Sequence, residues 1–598
     1  MGLFQSIRKK LNKLFDRDLQ RELAWIIAYG RRFRGEILLY IGLGMLGSVL
    51  GLAGSVLSKH IIDMVTGVES GRVTTILIFY VVMQLTGILI TALVSRITAR
   101  INIKVSQQIR FEVYDKMMRV RWEELSEYHS ADLLSRVSTD VTGVASSVLG
   151  WMPEFCVKLF QFCGTLGLLL FYDPALALLA LLSAPVTLIL SRMVMNRMRS
   201  HNVLMRQLGS QLMVFNEESF QNVHALKAFG LTDQYSAKLR QLQQAHRKAV
   251  LDYNAFSVRN TAFLSLVGTV VTLCCFGLSL YRLHSGHITY GTMTLFLQLA
   301  TSLSAGFSAL VAVVPSAIHA ATAAGRIMAV VELPEEEKGN TLAAEQFRKA
   351  YSSDGISISA QNLSFSYNRT GDVFSHVDLQ ADAGQMVALV GPSGEGKTTI
   401  LRLLLGICQP STGSLTAHSR DGSASIPISP ATRQLFSYVP QGNTMFAGTV
   451  AENLRMVLPE ATEEQLWEVL RLACADRFVA KLPQGLDTPV REQGGGFSQG
   501  QIQRLCIARA LLADAPVLLM DEATSALDIA TERQVLRNIM AAKRSRTCIL
   551  TTHRPSVLSI CQRVYQVSGG RVTPAETQQI HQLIRDFREL RQEEPDSI

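Results

Sequence analysis

The sequence predicts a chain in two parts: an α-helical membrane domain of six transmembrane helices with long cytoplasmic extensions, then a soluble α/β domain. Three observations carry that prediction. Uncharged runs long enough to cross a bilayer fill much of residues 37–325 of the 598. Basic residues crowd alternate connections between those runs. From about residue 355 charge returns, and short apolar strands alternate with loops and helices. Composition excludes other classes. With 48% hydrophobic and 18% charged residues the chain is too apolar to be disordered. Its nine cysteines are scattered, and none forms a CxxC pair, so neither a disulfide scaffold nor a zinc module is expected.

The first 35 residues hold nine Lys/Arg against three Asp/Glu, and the stretch Leu3–Trp25 is basic and amphipathic, suited to a membrane interface. Ile37–Ser58 and Val73–Ser95 carry no charge, nor do Pro174–Ser191 and Asn260–Tyr281. Val144–Tyr172 is interrupted only by Glu154 and Lys158, and Leu283–Gly325 runs 43 residues without a charge. A membrane helix needs about 20 such residues, so the last run is expected to continue beyond the bilayer. The connections Arg96–Asp140 and Arg192–Arg259 carry eight and ten basic residues, whereas the alternate ones are nearly bare. The positive-inside rule makes the basic connections and both termini cytoplasmic. The formal net charge of 58 − 49 = +9 then follows from topology, and no nucleic acid partner is expected. The resulting division is an interfacial segment over 1–35, the six-span domain over 36–330, a linker over 331–354 and the soluble domain over 355–598.

In the third span Trp151, Glu154, Lys158, Gln161 and Thr165 recur at helical spacing, which makes one face polar. Charged groups inside a membrane face a cavity or each other, and Glu154 and Lys158 stand at i,i+4, where they could neutralise one another.

In the soluble domain Met386–Val390 reads as a buried strand running into Gly391-Pro-Ser393-Gly394-Glu395-Gly396-Lys397-Thr398-Thr399 and an apolar helix, Ile400–Leu405. This is a phosphate-binding loop in its strand–loop–helix setting. Gly391, Gly394 and Gly396 let backbone N–H groups wrap phosphate oxygens, and Ser393, Glu395 and Thr399 belong to the same cradle. Lys397 reaches the β- and γ-phosphates and Thr398 ligates Mg²⁺. A second buried strand, Pro516–Met520, ends in Asp521, placed for the metal, and Glu522, placed to act as general base on the attacking water. ATP and Mg²⁺ are therefore the expected ligands.

Gly494-Gly-Gly-Phe497-Ser498-Gln499-Gly500-Gln501-Ile-Gln-Arg504 lies between these motifs. With it, the chain resembles an ATP-binding cassette (ABC) transporter subunit with membrane and nucleotide-binding domains fused in the exporter arrangement. The resemblance covers the whole chain. It implies that Tyr367 stacks on adenine, that Gln441 links Mg²⁺ to the membrane domain, and that His553 contacts the γ-phosphate. It also implies that Ser498, Gly500 and Gln501 form the signature facing the opposite subunit's nucleotide, with Asp528 in the D-loop. Tyr367 or His553 alone would read as packing residues; their order relative to the phosphate-binding loop gives them these roles. Three positions depart from the family pattern: Gln499 stands where LSGGQ has its first glycine, Phe497 where it has leucine, and Arg491 where many exporters have glycine before Glu492.

By the same resemblance two cassettes sandwich two ATP molecules, so this chain dimerises. Having both Glu522 and His553, it can build two competent sites from identical copies, which favours a homodimer over pairing with a closely related half-transporter. Short transverse helices near Trp122–Glu127 and Glu217–Leu226 would dock on the cassettes. The implied function is ATP-driven export or flipping of an amphipathic small molecule, lipid or peptide across a plasma or inner membrane. Trp151, Glu154, Lys158 and Gln161 are the candidate cargo contacts. An importer on the same fold and an ATP-gated channel are the alternatives; an intact Glu522 favours turnover over gating.

Overall fold

The computed structural model describes residues 17–174, 177, 201, 204–205, 207–367, 371–491, 494–542 and 545–575. Most of the expected fourth span (174–191), the segment ahead of Arg17 and Glu492 lie outside them. The chain divides into two compact units, one formed by 1–115 with 130–332 and the other by 116–129 with 333–598.

The first unit is helical: α1 Arg17–Gly30, α2 Arg34–Val65, α3 Val73–Arg119 (whose last turn belongs to the second unit), and, past α4 of the second unit (Trp122–Leu125), α5 Ser130–Ser135, α6 Val141–Leu149, α7 Trp151–Tyr172, α8 Val223–Ala228, α9 Thr232–His284 and α10 Tyr290–Val331. At 1.5 Å per residue the 53-residue α9 is about 80 Å long, far more than a hydrocarbon core of about 30 Å. The long extensions thus continue the spans themselves. Among the described residues the helical runs Asp18–Val65, Val73–Arg119 and Asp132–Tyr172 are long and apolar enough to cross a membrane.

Two sequence expectations need correction here. The third span is not one helix from Val144, because Gly150 (φ −79°, ψ −93°) leaves the helical conformation between α6 and α7. Pro153 sits in the first turn of α7, where its missing N–H costs least. Since α7 alone is about 33 Å long, Glu154 lies in its first turn rather than halfway along a span. Nor does the N-terminal segment only lie on an interface, for Ile26, Tyr29 and Phe33 are buried and α1 packs on α10 and α6.

Helix α10 is the hub of this unit, packing on α1, α2, α6, α7 and α9. Its start is fixed by a buried carboxylate. Asp63 of α2 accepts hydrogen bonds from the Gly291 N–H (2.9 Å, Oδ1) and the Thr289 hydroxyl (2.9 Å, Oδ2), and Lys59 neutralises it at 3.1 Å. A carboxylate at a helix N-terminus is favourable. Gly291 permits the approach, since a Cβ there would collide with the Lys59 carbonyl oxygen and the Asp63 carboxylate. At the other end of α10, Arg326 and Arg136 share Asp132: Arg326 Nη2 lies 2.6 Å from its Oδ1 and Arg136 Nη2 2.8 Å from its Oδ2. Burial pushes the Asp132 carboxyl up, but these two hydrogen bonds outweigh it and hold the group below its ordinary value.

The second unit has two main sheets and a short pair, β7 (Gly448–Thr449) with β8 (Pro489–Val490). One is antiparallel, in the order β2 (Gly371–Ala381), β1 (Ile356–Tyr367), β4 (Thr412–Ser419), β5 (Ser425–Pro427). The other runs β12 (Arg571–Pro574), β11 (Arg563–Ser568), β3 (Met386–Val390), β10 (Thr547–Thr551), β9 (Val517–Asp521), β6 (Phe436–Val439), and the five strands from β11 to β6 are parallel. Fully buried runs such as Met386–Val390 suit a parallel strand covered on both faces.

The expected linker over 331–354 is a correction too, because most of it is part of this unit. Thr341–Tyr351 forms helix α11, capped by Asn340, with Ala344 and Phe347 buried against the antiparallel sheet's core. Glu336 makes a two-pronged ion pair with Arg433 at 2.8 Å, and Arg433 also caps the carbonyls of Leu405 and Gly406. Residues 116–129 join the same body. Arg121 N–H donates to Pro334 O, Glu336 N–H to Arg119 O, and Lys116 pairs with Glu335 at 2.5 Å.

Candidate functional site

Four neighbouring parallel strands, β3, β10, β9 and β6, each deliver one element of the site at their carboxyl ends. That edge is where open α/β sheets bind ligands. The phosphate-binding loop follows β3 and turns into helix α12 (Lys397–Leu404) at Gly396, whose φ of +93° favours glycine. At Gly391 a Cβ would strike the Val567 carbonyl oxygen. Lys397 is buried, with Nζ donating to Gly391 O (2.6 Å) and Pro392 O (2.7 Å). Burial pulls its pKa down, against the nearby carboxylates of Glu522, Asp521 and Glu395, which push it up. Thr399 is buried, Thr398 half-buried and Ser393 exposed. Glu395 accepts the Gly569 N–H at 2.8 Å, tying the loop to the β11–β12 turn.

Asp521 closes β9, where Oδ1 accepts the Thr551 hydroxyl at 2.8 Å and Oδ2 is buried without a hydrogen-bond partner. A buried carboxylate oxygen left unpaired beside a phosphate cradle has the chemistry to ligate a hard cation. Glu522 follows at φ +46°, a conformation that costs an ordinary residue about 1–2 kcal/mol. The turn is braced by its N–H donating to Thr551 Oγ1 at 2.9 Å, and it aims the carboxylate between two partners. Gln441 Nε2, beyond β6, donates to Oε2 at 2.9 Å, and His553 Nε2, beyond β10, lies 2.8 Å from Oε1. Residues 112 positions apart in sequence (553 − 441) thus converge on one carboxylate.

Tyr367, at the end of β1, hydrogen-bonds Thr399 Oγ1 at 3.2 Å and accepts from Arg402 Nη1 at 3.3 Å. The Arg402 guanidinium also stacks 4.5 Å over the Trp122 ring of α4. Sequence reasoning missed Arg402; its signal was the one charge in an otherwise apolar stretch, Ile400–Leu405.

Past α13 (Val450–Arg455), α14 (Glu463–Leu472) and α15 (Asp476–Val479), Ser498 caps helix α16 (Gln499–Leu512): its Oγ accepts the Gln501 N–H at 3.3 Å and its own N–H donates to Gln501 Oε1 at 2.9 Å. Gly500 lies against the D-loop, where a Cβ would sit 3.0 Å from Ala526 O. Gln503, also missed, clamps that loop through Ser525 Oγ (3.1 Å) and the Ala526 N–H (2.9 Å). Asp528 caps helix α17 (Ile529–Ala541) by accepting the Thr531 N–H at 2.9 Å. Among the described residues Ser498, Gly500 and Gln501 make no hydrogen bond to 391–399. Two departures from LSGGQ have physical readings. Gln499 is exposed in the first turn of α16, where no left-handed backbone demands glycine, and Phe497 packs edge-on to Phe478. Arg491 is exposed.

In the first unit Glu154, Lys158 and Gln161 line one cavity of about 850 Å³ between α2, α3 and α7, with Tyr40, Ser48 and Gln84 among its walls. Trp151 is not in it. It lines a second cavity of about 560 Å³ between α6, α7 and α10, which Glu154 also borders. Thr165 is buried and turns its hydroxyl back to Gln161 O. The i,i+4 pairing of Glu154 with Lys158 is not formed: among the described residues neither side chain has an ion-pair or hydrogen-bond partner.

Comparison with known proteins matches the models for the ABC transporter transmembrane region over residues 37–307 and for the ABC transporter over 374–525. An ATP-dependent lipid A-core flippase of Chromobacterium violaceum is 31% identical over 475 residues, covering 78% of each chain. The chain is an ABC transporter. A multidrug resistance ABC transporter ATP-binding and permease protein of Lactococcus lactis is 26% identical to it over 552 residues, 88% of this chain and 89% of that one. The fold of this transporter matches a bacterial Atm1-family ABC exporter with ATP bound at a TM-score of 0.78, with 21% identity, over 95% of this chain and 99% of that one. It is therefore a multi-pass membrane protein of the exporter fold that couples ATP hydrolysis to transport. With one cassette it is a half-transporter that works as a dimer.

Proposed function

We propose that two identical copies of this chain export or flip an amphipathic small molecule, lipid or peptide out of the cytoplasm, across a plasma or inner membrane. The observation that carries the reading is Glu522, held between Gln441 and His553 beside the phosphate-binding loop. A carboxylate so placed takes a proton from water attacking the γ-phosphate, while Lys397 is freed from its loop carbonyls to bind phosphate and His553 holds the γ-phosphate. Thr398, Gln441 and Asp521 would hold Mg²⁺, which when bound neutralises charge on the phosphates; the unpaired Asp521 Oδ2 fits that ion. Tyr367 would stack on adenine. Ser498, Gly500, Gln501 and Asp528 would complete the partner's site.

The names of the relatives, a lipid A-core flippase and a multidrug transporter, suit an amphipathic cargo. The cavity lined by Glu154, Lys158 and Gln161, with Trp151 beside it, is the proposed cargo site. Coupling would run through α4, which already belongs to the cassette unit, and through α8 with the exposed Phe220 and Phe229 flanking it. The test is transport into inside-out vesicles with the purified dimer: ATP-dependent, vectorial accumulation of a lipid or drug probe supports export, and ATP-independent or bidirectional flux overturns it.

A further inference from the structure

Among the described residues that line it, the cavity between α2, α3 and α7 holds two charged groups, the Glu154 carboxylate and the Lys158 ammonium. They stand one helical turn apart, about 6 Å along the axis, with the glutamate N-terminal to the lysine, the order that best favours pairing. They do not pair, and among the described residues nothing else satisfies either. Their surroundings differ. Glu154 borders both cavities, whereas Lys158 borders only the larger one. Val157, between them in sequence, is pressed against α2 at Gly44, where an added Cβ would lie 2.7 Å from Val157 Cγ2. The rest of the lining is uncharged, with hydroxyls and amides from Tyr40, Ser48, Gln84 and Gln161. An unpaired charge inside a membrane protein is costly unless water or a ligand meets it, and this cavity presents one of each sign with no net charge.

Resting on the reading of this cavity as the cargo site, we infer that the cargo carries a zwitterionic head: a cationic group for Glu154 and an anionic group for Lys158, with an apolar body. A singly charged head leaves one of the two side chains unmet, and a neutral head leaves both. A head bearing both charges satisfies both and adds no net charge to the site.

The test uses the full-length dimer in nanodiscs and reads ATPase stimulation by probes sharing one acyl or alkyl chain. These are lysophosphatidylcholine and lysophosphatidylethanolamine (zwitterionic), lysophosphatidic acid (anionic), an alkyl trimethylammonium (cationic) and a monoacylglycerol (neutral). Half-stimulating concentrations are compared as ratios within each variant, so differences in basal turnover cancel. The wild type is expected to respond to the zwitterionic heads at about five- to tenfold lower concentration than to the others, the usual range for a partly exposed charge contact. Glu154→Gln should erase that advantage over the anionic probe, and Lys158→Gln the advantage over the cationic one. The exchange Glu154→Lys with Lys158→Glu restores both signs and should keep the zwitterionic preference, which serves if a single variant folds poorly. An unchanged ranking across these variants, or a wild type that prefers a singly charged or neutral head, overturns the inference. Gly87→Leu addresses the cavity itself, since it places a side chain in open space on the α3 wall. If stimulation by every head survives that change, the cargo site lies elsewhere, and it is the underlying reading that fails.

Discussion

Glu522→Gln separates chemistry from architecture more cleanly than any other change in this protein. Glutamine has the same shape, so it can keep the left-handed backbone at φ +46°, with its amide oxygen accepting from Gln441 Nε2 and its amide N–H donating to an unprotonated His553 Nε2. Exchanging two charge-assisted hydrogen bonds for neutral ones costs stability on the order of 1 kcal/mol. What is lost outright is the ability to accept a proton from water. A positioned general base contributes about 10²–10⁴ in rate, equivalent to about 3–5 kcal/mol of barrier. The catalytic effect therefore exceeds the structural one severalfold. Phosphate release at saturating ATP from dimers in nanodiscs measures the first. The rise in unfolding midpoint on adding ATP checks binding, since ATP at 100 times its dissociation constant stabilises by about 2.7 kcal/mol. An unchanged ATP-induced shift with phosphate release down by the stated factor is expected. Release within a few-fold of wild type, with binding intact, would remove Glu522 from the role of base.

Three further outcomes follow from the same geometry. Mixing Lys397→Ala chains with Gly500→Asp chains puts both lesions into one composite site and leaves the other whole, so mixed dimers should hydrolyse ATP faster than either parent; equal activity argues against the shared-site dimer. Arg402→Met removes the stack on Trp122 and the bond to Tyr367, and a double-mutant cycle with Trp122→Ala should show coupling of about 0.5–2 kcal/mol in thermal stability, with simple additivity as the contrary result. The Asp132 carboxyl titrates below its ordinary 3.8, so its contribution to stability is complete above that pH and fades as pH falls through the folded value. The destabilisation caused by Asp132→Asn should accordingly be clear at pH 7 and shrink in acid, and a penalty independent of pH would deny the carboxylate that part.

The phosphate-binding loop was legible in the sequence because its parts are contiguous: strand, glycines, lysine and helix follow one another without a break from Met386 to Leu405 and need no long-range partner to be recognised. The membrane-long runs within Asp18–Val65, Val73–Arg119 and Asp132–Tyr172 were legible for a related reason, since the lack of charge along a stretch such as Ile37–Ser58 is a local property. The rest is decided by contacts across the chain. Nothing near Glu154 announces that Val157 packs against Gly44 or that the residue borders a second cavity, and of the two readings that spacing allowed, the i,i+4 pairing does not form. The acidic run at Leu333–Lys338 looks like solvated linker until Arg433, Lys116 and Arg121 are brought to Glu336, Glu335 and Glu337. The roles expected of Tyr367 and His553 rested on order along the chain, but the convergence of His553 and Gln441 on Glu522 depends on strand order, which places β10 and β6 on either side of β9.

The border between the two units falls inside α3, between Asp115 and Lys116, with no proline anywhere in that 47-residue helix and no glycine beyond Gly87. One of the joints between membrane domain and cassette is therefore a stretch of continuous helix. That has a practical meaning for anyone building hybrids. A graft that splices a foreign membrane domain onto this cassette at residue 333 discards residues 116–129 and with them the ring beneath Arg402, the partner of Glu335 and the strand-like bridge between Val120 and Glu335. A transplantable cassette carries that segment as a separate insert, cut within the last turn of the helix, so that a functional hybrid needs one crossover on each side of residues 116–129 and a third where α10 gives way to Leu333.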